Sequence, residues 1–168
     1  MARNWTKEIP AAGFRYVSAQ AAPDQVPTTL RDCASFSASA DQYVDIQFSV
    51  PAEHTGTGTL KMDIFACANT ATATDDARLD AATEFKTPGA GEARNSFNVD
   101  ATPDSGTMTF STTTYSLQKL TITLTPAVAA VAGDLGMVRL TRDGDNAGGL
   151  DDLAVPLLVE AVEVYEEV

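Results

Sequence analysis

The chain has few cysteines, aromatic residues and cations, and it has no long hydrophobic run. Two cysteines are too few for a disulfide framework, and with a single histidine they cannot complete an ordinary structural zinc site. The 11 Lys and Arg residues face 23 Asp and Glu residues, so the net charge is −12. Phosphate backbones and anionic membranes both attract clustered cations, and this chain has no such cluster. We therefore expect neither nucleic acid nor a membrane as a partner.

The start of the chain, Met1–Pro10, lacks the apolar stretch of a signal peptide. No run approaches the roughly 18 apolar residues of a membrane helix. These absences predict a protein that is made and first folds in a cytoplasm. In that reducing compartment Cys33 and Cys67 are expected to be small, buried free thiols rather than a disulfide.

What the chain does have is a period of two in its hydrophobic residues. Residues 42–50 place Val44, Ile46, Phe48 and Val50 on one face, and residues 60–67 repeat the pattern. Further strands are predicted at residues 82–86, 94–99, 107–111, 115–124, 136–142 and 153–165, with residues 68–81 as a polar connection. About eight strands with frequent turn signals and no long helix predict an all-β antiparallel sandwich or barrel.

Residues 1–40 lack this sustained period. Prolines at 10, 23 and 27 interrupt the segment, which also carries aromatic residues. We interpret residues 1–40 as an extended N-terminal arm and residues 41–168 as the sandwich domain. The candidate partner-binding residues in the arm are Trp5, Phe14, Arg15 and Tyr16. Two alternatives stay open: the arm packs on its own sandwich, or its aromatic residues anchor a partner chain.

An acidic, glycine-rich loop, Asp143–Asp152, separates the last two predicted strands. Compared with an EF-hand loop, Asp143 and Asp145 match the first and third ligand positions, whereas Ala147 and Ala154 occupy the fifth and twelfth. We interpret the loop as a solvated hairpin connection whose Gly and Asn residues adopt positive φ. The alternative is a weak Ca²⁺ site that uses Asp143, Asp145, Asp151 or Asp152.

No catalytic arrangement is visible in the sequence. His54, the single histidine, follows Pro51 without a nucleophile-elbow pattern, so we predict a surface histidine. The Gly56-Thr-Gly stretch lacks the lysine and helix of a phosphate loop, and the glutamates near the C-terminus read as a solvated strand face. We therefore expect no enzyme, no catalytic residue, no cofactor and no metal site.

The two ends of the acidic loop carry a family resemblance. Residues 132–147, containing Val-Arg-Leu-Thr-Arg-Asp-Gly-Asp-Asn-Ala, precede Leu157–Tyr165. This arrangement resembles the end of small jelly-roll proteins on tailed-phage virions, where a "gD…vRlxRdgdda" strand and loop precede a last strand "yllgvxieY". Upstream, Phe48-Ser-Val-Pro and residues 60–65 resemble the same group's strands. The similarity spans about residues 41–165 and excludes the arm. The family's tryptophan-bearing third strand here reads Ile64-Phe-Ala-Cys.

The resemblance implies a jelly-roll β-sandwich with a non-enzymatic structural role in a virion. The implied protein is a capsid decoration or head-fibre base protein that forms a homotrimer and binds the major capsid protein or another virion protein on the outer head surface. A tail component of the same virion is an alternative. A second alternative is a carbohydrate-binding jelly-roll module for receptor or glycan recognition, since jelly rolls also serve as lectin domains.

Overall fold

The structure is a computed structural model that describes residues 2–16, 20–27, 30–69, 75–90, 102–110, 112–146 and 149–168. Within these described ranges the regular elements are ten β-strands and one turn of 3-10 helix at Ala11–Gly13. The strands are β1 (Arg3–Pro10), β2 (Ala22–Val26), β3 (Arg31–Phe36), β4 (Gln42–Ser49), β5 (Thr59–Ala68), β6 (Asp76–Lys86), β7 (Asp104–Thr109), β8 (Gln118–Thr123), β9 (Leu135–Arg142) and β10 (Leu157–Glu167).

The strands form two antiparallel sheets that pack as a jelly-roll sandwich, which confirms the predicted fold class. The six-stranded sheet has the order β2-β3-β10-β5-β8, with β1 also paired to β10. The four-stranded sheet has the order β4-β9-β6-β7. Because side chains alternate between the two faces of a strand, every second residue of each central strand enters the core between the sheets.

The core contains residues of both sheets, including Ile46 of β4, Ile64 of β5 and Leu140 of β9. Each of these side chains has no exposed surface. The residues between them point outward: Asp45 pairs with Arg139 on the outer face of the four-stranded sheet, and Asp63 accepts from Thr121 on that of the six-stranded sheet. The alternation seen in the sequence is therefore the alternation of core and surface.

Residues 1–40 contribute three strands to the six-stranded sheet. One edge of the long strand β10 is shared, because β3 pairs with Leu157–Val159 and β1 pairs with Ala161–Glu167. The described part of this segment thus packs on the chain's own sandwich, the first of the two alternatives left open by the sequence. The boundary predicted between residues 40 and 41 falls in the loop joining β3 to β4. Because β1 and β3 both pair with β10, strands from the two sides of this boundary share one sheet.

Most of the predicted strands are present in the structure, but several begin or end at other residues than predicted. Strands β4 and β5 match their predicted ranges closely, whereas β6 begins at Asp76, inside the stretch interpreted as a connection. The strand predicted at residues 94–99 lies outside the described residues. Strands β9 and β10 belong to different sheets, so the interpretation of Asp143–Asp152 as a hairpin is wrong. The loop carries the chain from one sheet across to the other.

Among the described residues, no helix has the length and apolar character needed to span a membrane.

Candidate functional site

A groove lies on the outer face of the six-stranded sheet, where β2, β3, β10 and β5 run side by side. Its cavity volume is about 170 Å³. The strands and the loops that follow them supply its lining: Asp24, Gln25, Pro27, Ser35, Asn69, Tyr115, Pro156 and Leu158. These residues come from five separate parts of the chain, so only the folded sheet brings them together.

The floor of the groove belongs to a small second hydrophobic cluster. Val26, Cys33, Cys67 and Leu158 are buried there, although they lie on the outer face of the sheet. The half-buried ring of Tyr115 packs against this cluster from the loop between β7 and β8. The loop that carries Tyr115 therefore shields apolar residues of the outer face from water. The groove lies at the edge of this loop.

Tyr115 is held in an uncommon backbone conformation. Its φ is +56°, in the left-handed region that a bulky residue rarely adopts and that costs about 1–3 kcal/mol. The backbone N–H of Tyr115 donates to the carbonyl oxygen of Ala68 at 2.8 Å, which ties the loop to the end of β5. Strain of this kind persists where the surroundings determine a side-chain position, and here the position is that of the aromatic wall of the groove.

The polar lining groups suit a ligand rich in hydroxyls. Asp24 and Gln25 are exposed on β2, and Asn69 is exposed beyond the end of β5. The Asp24 carboxylate accepts from the Gln25 backbone N–H at 2.8 Å, whereas the Gln25 side-chain amide donates to Asp32 at 3.3 Å on the face of the sheet opposite Asp24. Amides and carboxylates together both donate and accept hydrogen bonds, as recognition of a polyol requires. An aromatic wall with convergent polar groups is typical of a small-molecule site.

Three other depressions on the described surface are larger but contain no Phe, Tyr or Trp. Their volumes are about 290, 330 and 360 Å³. Two of them are lined by residues that follow β4 and precede β9, and the third lies between β1 and β3. Because none of these three linings includes a Phe, Tyr or Trp ring, we place the candidate site at the groove beside Tyr115.

The two cysteines beneath Tyr115 are free thiols, as the sequence analysis predicted. Strand β10 separates them, since Leu158 is paired with Ser35 of β3 on one side and with Cys67 of β5 on the other. Two strand spacings amount to roughly 10 Å, beyond the Cα separation that a disulfide tolerates. Burial, reinforced by nearby acidic groups, raises the pKa of Cys33 and of Cys67 to about 12.

We expect the native protein to resist thiol labelling. At pH 8 a pKa of about 12 leaves roughly one thiol in 10⁴ as thiolate, the reactive form. Incubation with a maleimide, followed by mass spectrometry, should show no modification of the folded protein and two modifications in urea. Rapid labelling of the folded protein would contradict the burial described above.

Most of the residues predicted to bind a partner contact other residues of this chain. Trp5 and Phe14 are 7% and 6% exposed and belong to the main core. Tyr16 is half-buried, and its hydroxyl donates to the carbonyl oxygen of Ala11 at 3.0 Å. Arg15 has an exposed side chain, and its backbone bridges to Asp45 of β4. The rings of Trp5 and Phe14 therefore form part of the chain's own interior, and of these four residues Arg15 is the exposed one.

His54 is not the surface histidine that the sequence predicted. Its side chain is 4% exposed and lies beside Trp5 and Glu166. The Trp5 indole N–H donates to His54 Nδ1 at 3.3 Å, and His54 Nε2 lies 3.0 Å from the carbonyl oxygen of Ala130. The loop after β4 therefore folds back onto β1 and β10, which the sequence pattern around Pro51 did not indicate.

Glu166 is the centre of the same region and has no exposed side-chain surface. Its carboxylate accepts hydrogen bonds from the side chain of Asn4, the backbone and side chain of Thr55, and the backbone of Gly58. Burial by itself raises the pKa of this group, but these hydrogen bonds outweigh it and lower the pKa to about 2. The interpretation of Glu166 as part of a solvated face is therefore wrong.

The acidic loop contains a buried ion pair. Arg142 is completely buried and donates from Nε and Nη2 to the two oxygens of Asp151 at 2.9 and 2.8 Å. Its remaining hydrogen bonds reach the carbonyl oxygens of Phe36, Leu153 and Val155. Asp151, one of the four residues considered for Ca²⁺, thus has a structural role beside Arg142. Residues 147 and 148 of the loop lie outside the described residues.

Asp143 and Asp145 come together with a third carboxylate, that of Asp41, within 4.8 Å of one another. Partial burial raises the pKa of Asp41, helped by the charges of Asp145 and Asp143 and opposed by a hydrogen bond from the Asp145 backbone. A Cβ at Gly144 would lie 2.6 Å from the carbonyl oxygens of Ser37 and Ala40, so the loop passes close to the β3–β4 connection. The sequence did not indicate Asp41, which is distant along the chain.

Comparisons with known proteins support the fold. No family model matches the chain, and no curated protein matches it. Among solved structures, a family GH115 4-O-methyl-α-glucuronidase specific for decorated arabinogalactans matches 96% of this chain at 12% identity and a TM-score of 0.56. The chain spans 18% of the length of that enzyme. At such low identity the likeness shows the fold alone.

Two further structures are similar over nearly their whole length. The Xyl-CBM35 module, solved with a glucuronic acid-containing disaccharide, has 14% identity over 96% of this chain and 94% of its own, with a TM-score of 0.47. The K1 cleaved adhesin domain of Lys-gingipain from Porphyromonas gingivalis W83 has 14% identity over 97% and 91%, with a TM-score of 0.45.

Proposed function

We propose that this protein is a carbohydrate-binding jelly-roll module that recognises a glycan in the groove beside Tyr115. The observation that supports the proposal most is the combination of a half-buried aromatic ring with amide, hydroxyl and carboxylate groups over an apolar floor. An aromatic ring packs against the C–H face of a sugar, and the polar groups bind its hydroxyls. Because one fold hosts many functions, the proposal is based on the groove and not on the jelly roll itself.

The test is glycan binding with a matched pair of tyrosine variants. A glycan array identifies a binding oligosaccharide, and calorimetry measures its affinity for Tyr115→Asn, which removes the ring but tolerates a positive φ. We expect affinity to fall about tenfold or more, because the contact area of the ring is lost. Tyr43→Asn is the control, since Tyr43 is another half-buried tyrosine that lies under Arg139 on the opposite sheet. Equal affinities for both variants and the natural protein would disprove the site.

A second candidate function is the virion structural role implied by the sequence resemblance. What supports it is the similarity over about residues 41–165 to jelly-roll proteins of tailed-phage virions, together with the shared fold class. In this role the protein would form a trimer that binds the major capsid protein or another virion protein. Attachment to the phage head is the first choice, and a place in the tail is the second. Light scattering and binding to undecorated capsids distinguish the candidates: a capsid-binding trimer without glycan affinity would favour the virion role.

A further inference from the structure

We propose that the groove beside Tyr115 is a subsite for one neutral sugar ring and that its acidic surroundings exclude sugars bearing a carboxylate or sulfate. This inference deepens the proposed carbohydrate function and depends on it. The ligand is an uncharged sugar, and Asp24 is the residue that selects it.

The size of the groove limits its occupant to one ring. Its volume is about 170 Å³. A cavity of roughly 150 Å³ accommodates one six-membered aromatic ring, so the groove matches a single pyranose and not a disaccharide. Pro27 and Pro156 belong to its lining, and each fixes its own backbone φ near −65°. The rest of a glycan chain would extend outward into solvent.

The lining of the groove contains an acidic residue, Asp24, and no basic one. Beneath the groove, burial is the largest cause that raises the pKa of the Cys33 thiol. The negative charges of Asp24, Glu160 and Asp32 raise it further. The nearby cation, Arg31, is not among the lining residues, and its guanidinium is paired with Glu160 at 3.4 Å. A ligand carboxylate would therefore meet like charge, with no cation in the lining to offset it.

Repulsion at this range is large enough to select ligands. Two like charges about 5 Å apart in a partly exposed site repel strongly enough to change affinity by about tenfold. An uncharged hydroxymethyl group at the same position of the ring meets no such repulsion, and its hydroxyl can donate to the Asp24 carboxylate. The net charge of −12 acts in the same direction at longer range.

The experiment compares matched sugar pairs by calorimetry at low ionic strength. The probes are neutral trisaccharides of glucose, galactose and mannose, each beside the trisaccharide of the corresponding uronic acid. We expect at least one neutral probe to bind about tenfold more tightly than its acidic counterpart. In Asp24→Asn, which keeps the side-chain shape, this preference should fall to about threefold or less.

Glu53→Gln is the matched control. It removes the same charge from an exposed residue, and the Glu53 carbonyl oxygen accepts from Asn4, which also contacts Glu166 near the far end of β10. Leu158 and Glu166 are eight positions apart on that strand, or roughly 26 Å at about 3.3 Å per residue, well beyond the screening length of physiological salt. The control should keep the full preference for neutral sugars.

The outcomes separate the two proposals. Equal or tighter binding of the uronic acids, or a preference that Asp24→Asn leaves unchanged, would overturn the inference about charge while leaving glycan binding in place. If no probe and no arrayed glycan binds more tightly to the natural protein than to Tyr115→Asn, the proposed carbohydrate function itself fails.

Discussion

Replacing Arg142 with methionine is expected to lower the free energy of unfolding by about 3–5 kcal/mol, the usual cost of removing one partner of a buried ion pair. Methionine has a similar length but no donors, so the Asp151 carboxylate stays buried without its cation. The carbonyl oxygens of Phe36, Leu153 and Val155 also lose their donor. These carbonyl groups belong to β3 and to the segment that leads into β10. Losing their hydrogen bonds therefore weakens the connection that carries the chain from one sheet to the other. Urea unfolding followed by circular dichroism measures the effect.

Arg139→Met is the matched control for this experiment. Arg139 lies three residues earlier on β9 and makes a similar bidentate pair with Asp45, but its side chain is 30% exposed. Water replaces part of its lost hydrogen bonding, so we expect at most about half the destabilisation. A double variant, Arg142→Met with Asp151→Leu, should recover part of the loss by removing the unpaired charge. If the two single variants were equally stable, the buried pair would not have the role assigned to it.

Replacing Glu166 with leucine is expected to cost about 3 kcal/mol or more. The substitution leaves the side chains of Asn4 and Thr55 and the backbone N–H groups of Thr55 and Gly58 without their acceptor in a buried position. Glu166→Gln keeps one acceptor oxygen and should cost less. Glu167→Gln is the control, because Glu167 is the next residue and makes a partly exposed pair with Lys61. Thermal and urea unfolding at pH 7 rank the three variants.

The Glu166 variants should also differ in acid. The carboxyl has a pKa of about 2 in the folded protein and an ordinary value of 4.5. A depressed pKa contributes stability that is complete above about pH 4.5 and is lost as the pH falls towards 2. The natural protein should therefore lose more stability across this interval than Glu166→Gln, which has no proton to gain. Parallel pH profiles for the two proteins would show that Glu166 does not contribute to acid unfolding.

Much of the fold was predictable from alternation. The period of two across residues 42–50 and 60–67 marks β4 and β5 closely, because one face of each strand meets the core and the other meets water. The sequence pattern does not predict the start of β6, since Ala77, Leu79 and Ala81 alternate with Asp and Arg inside a stretch rich in turn-forming residues. Pairing with β9 and β7 makes this stretch a strand, and pairing is not visible in a single segment.

The candidate site was not predictable in the same way. The sequence pattern predicts that Tyr115 begins a strand and that Asn69 lies in a polar connection. Neither residue has a local pattern that marks it as a binding residue. Each becomes part of the groove only because β5 and β8 pair and bring their flanking loops to the same end of the sheet. For Trp5 the sequence leaves open whether the ring contacts a partner chain or the sandwich itself, and the structure places it in the chain's own core.

The sequence by itself determined that this is an all-β sandwich, because alternation depends only on whether each side chain faces the core or water. From the net charge of −12 and the two cysteines we expect neither nucleic-acid binding nor a disulfide framework. The tertiary structure alone decided that residues 1–40 complete the sheet, that Arg142 and Asp151 form a buried pair, and that Tyr115 lies over a groove. These features depend on contacts between residues far apart in sequence, and such contacts exist only once the strands have paired.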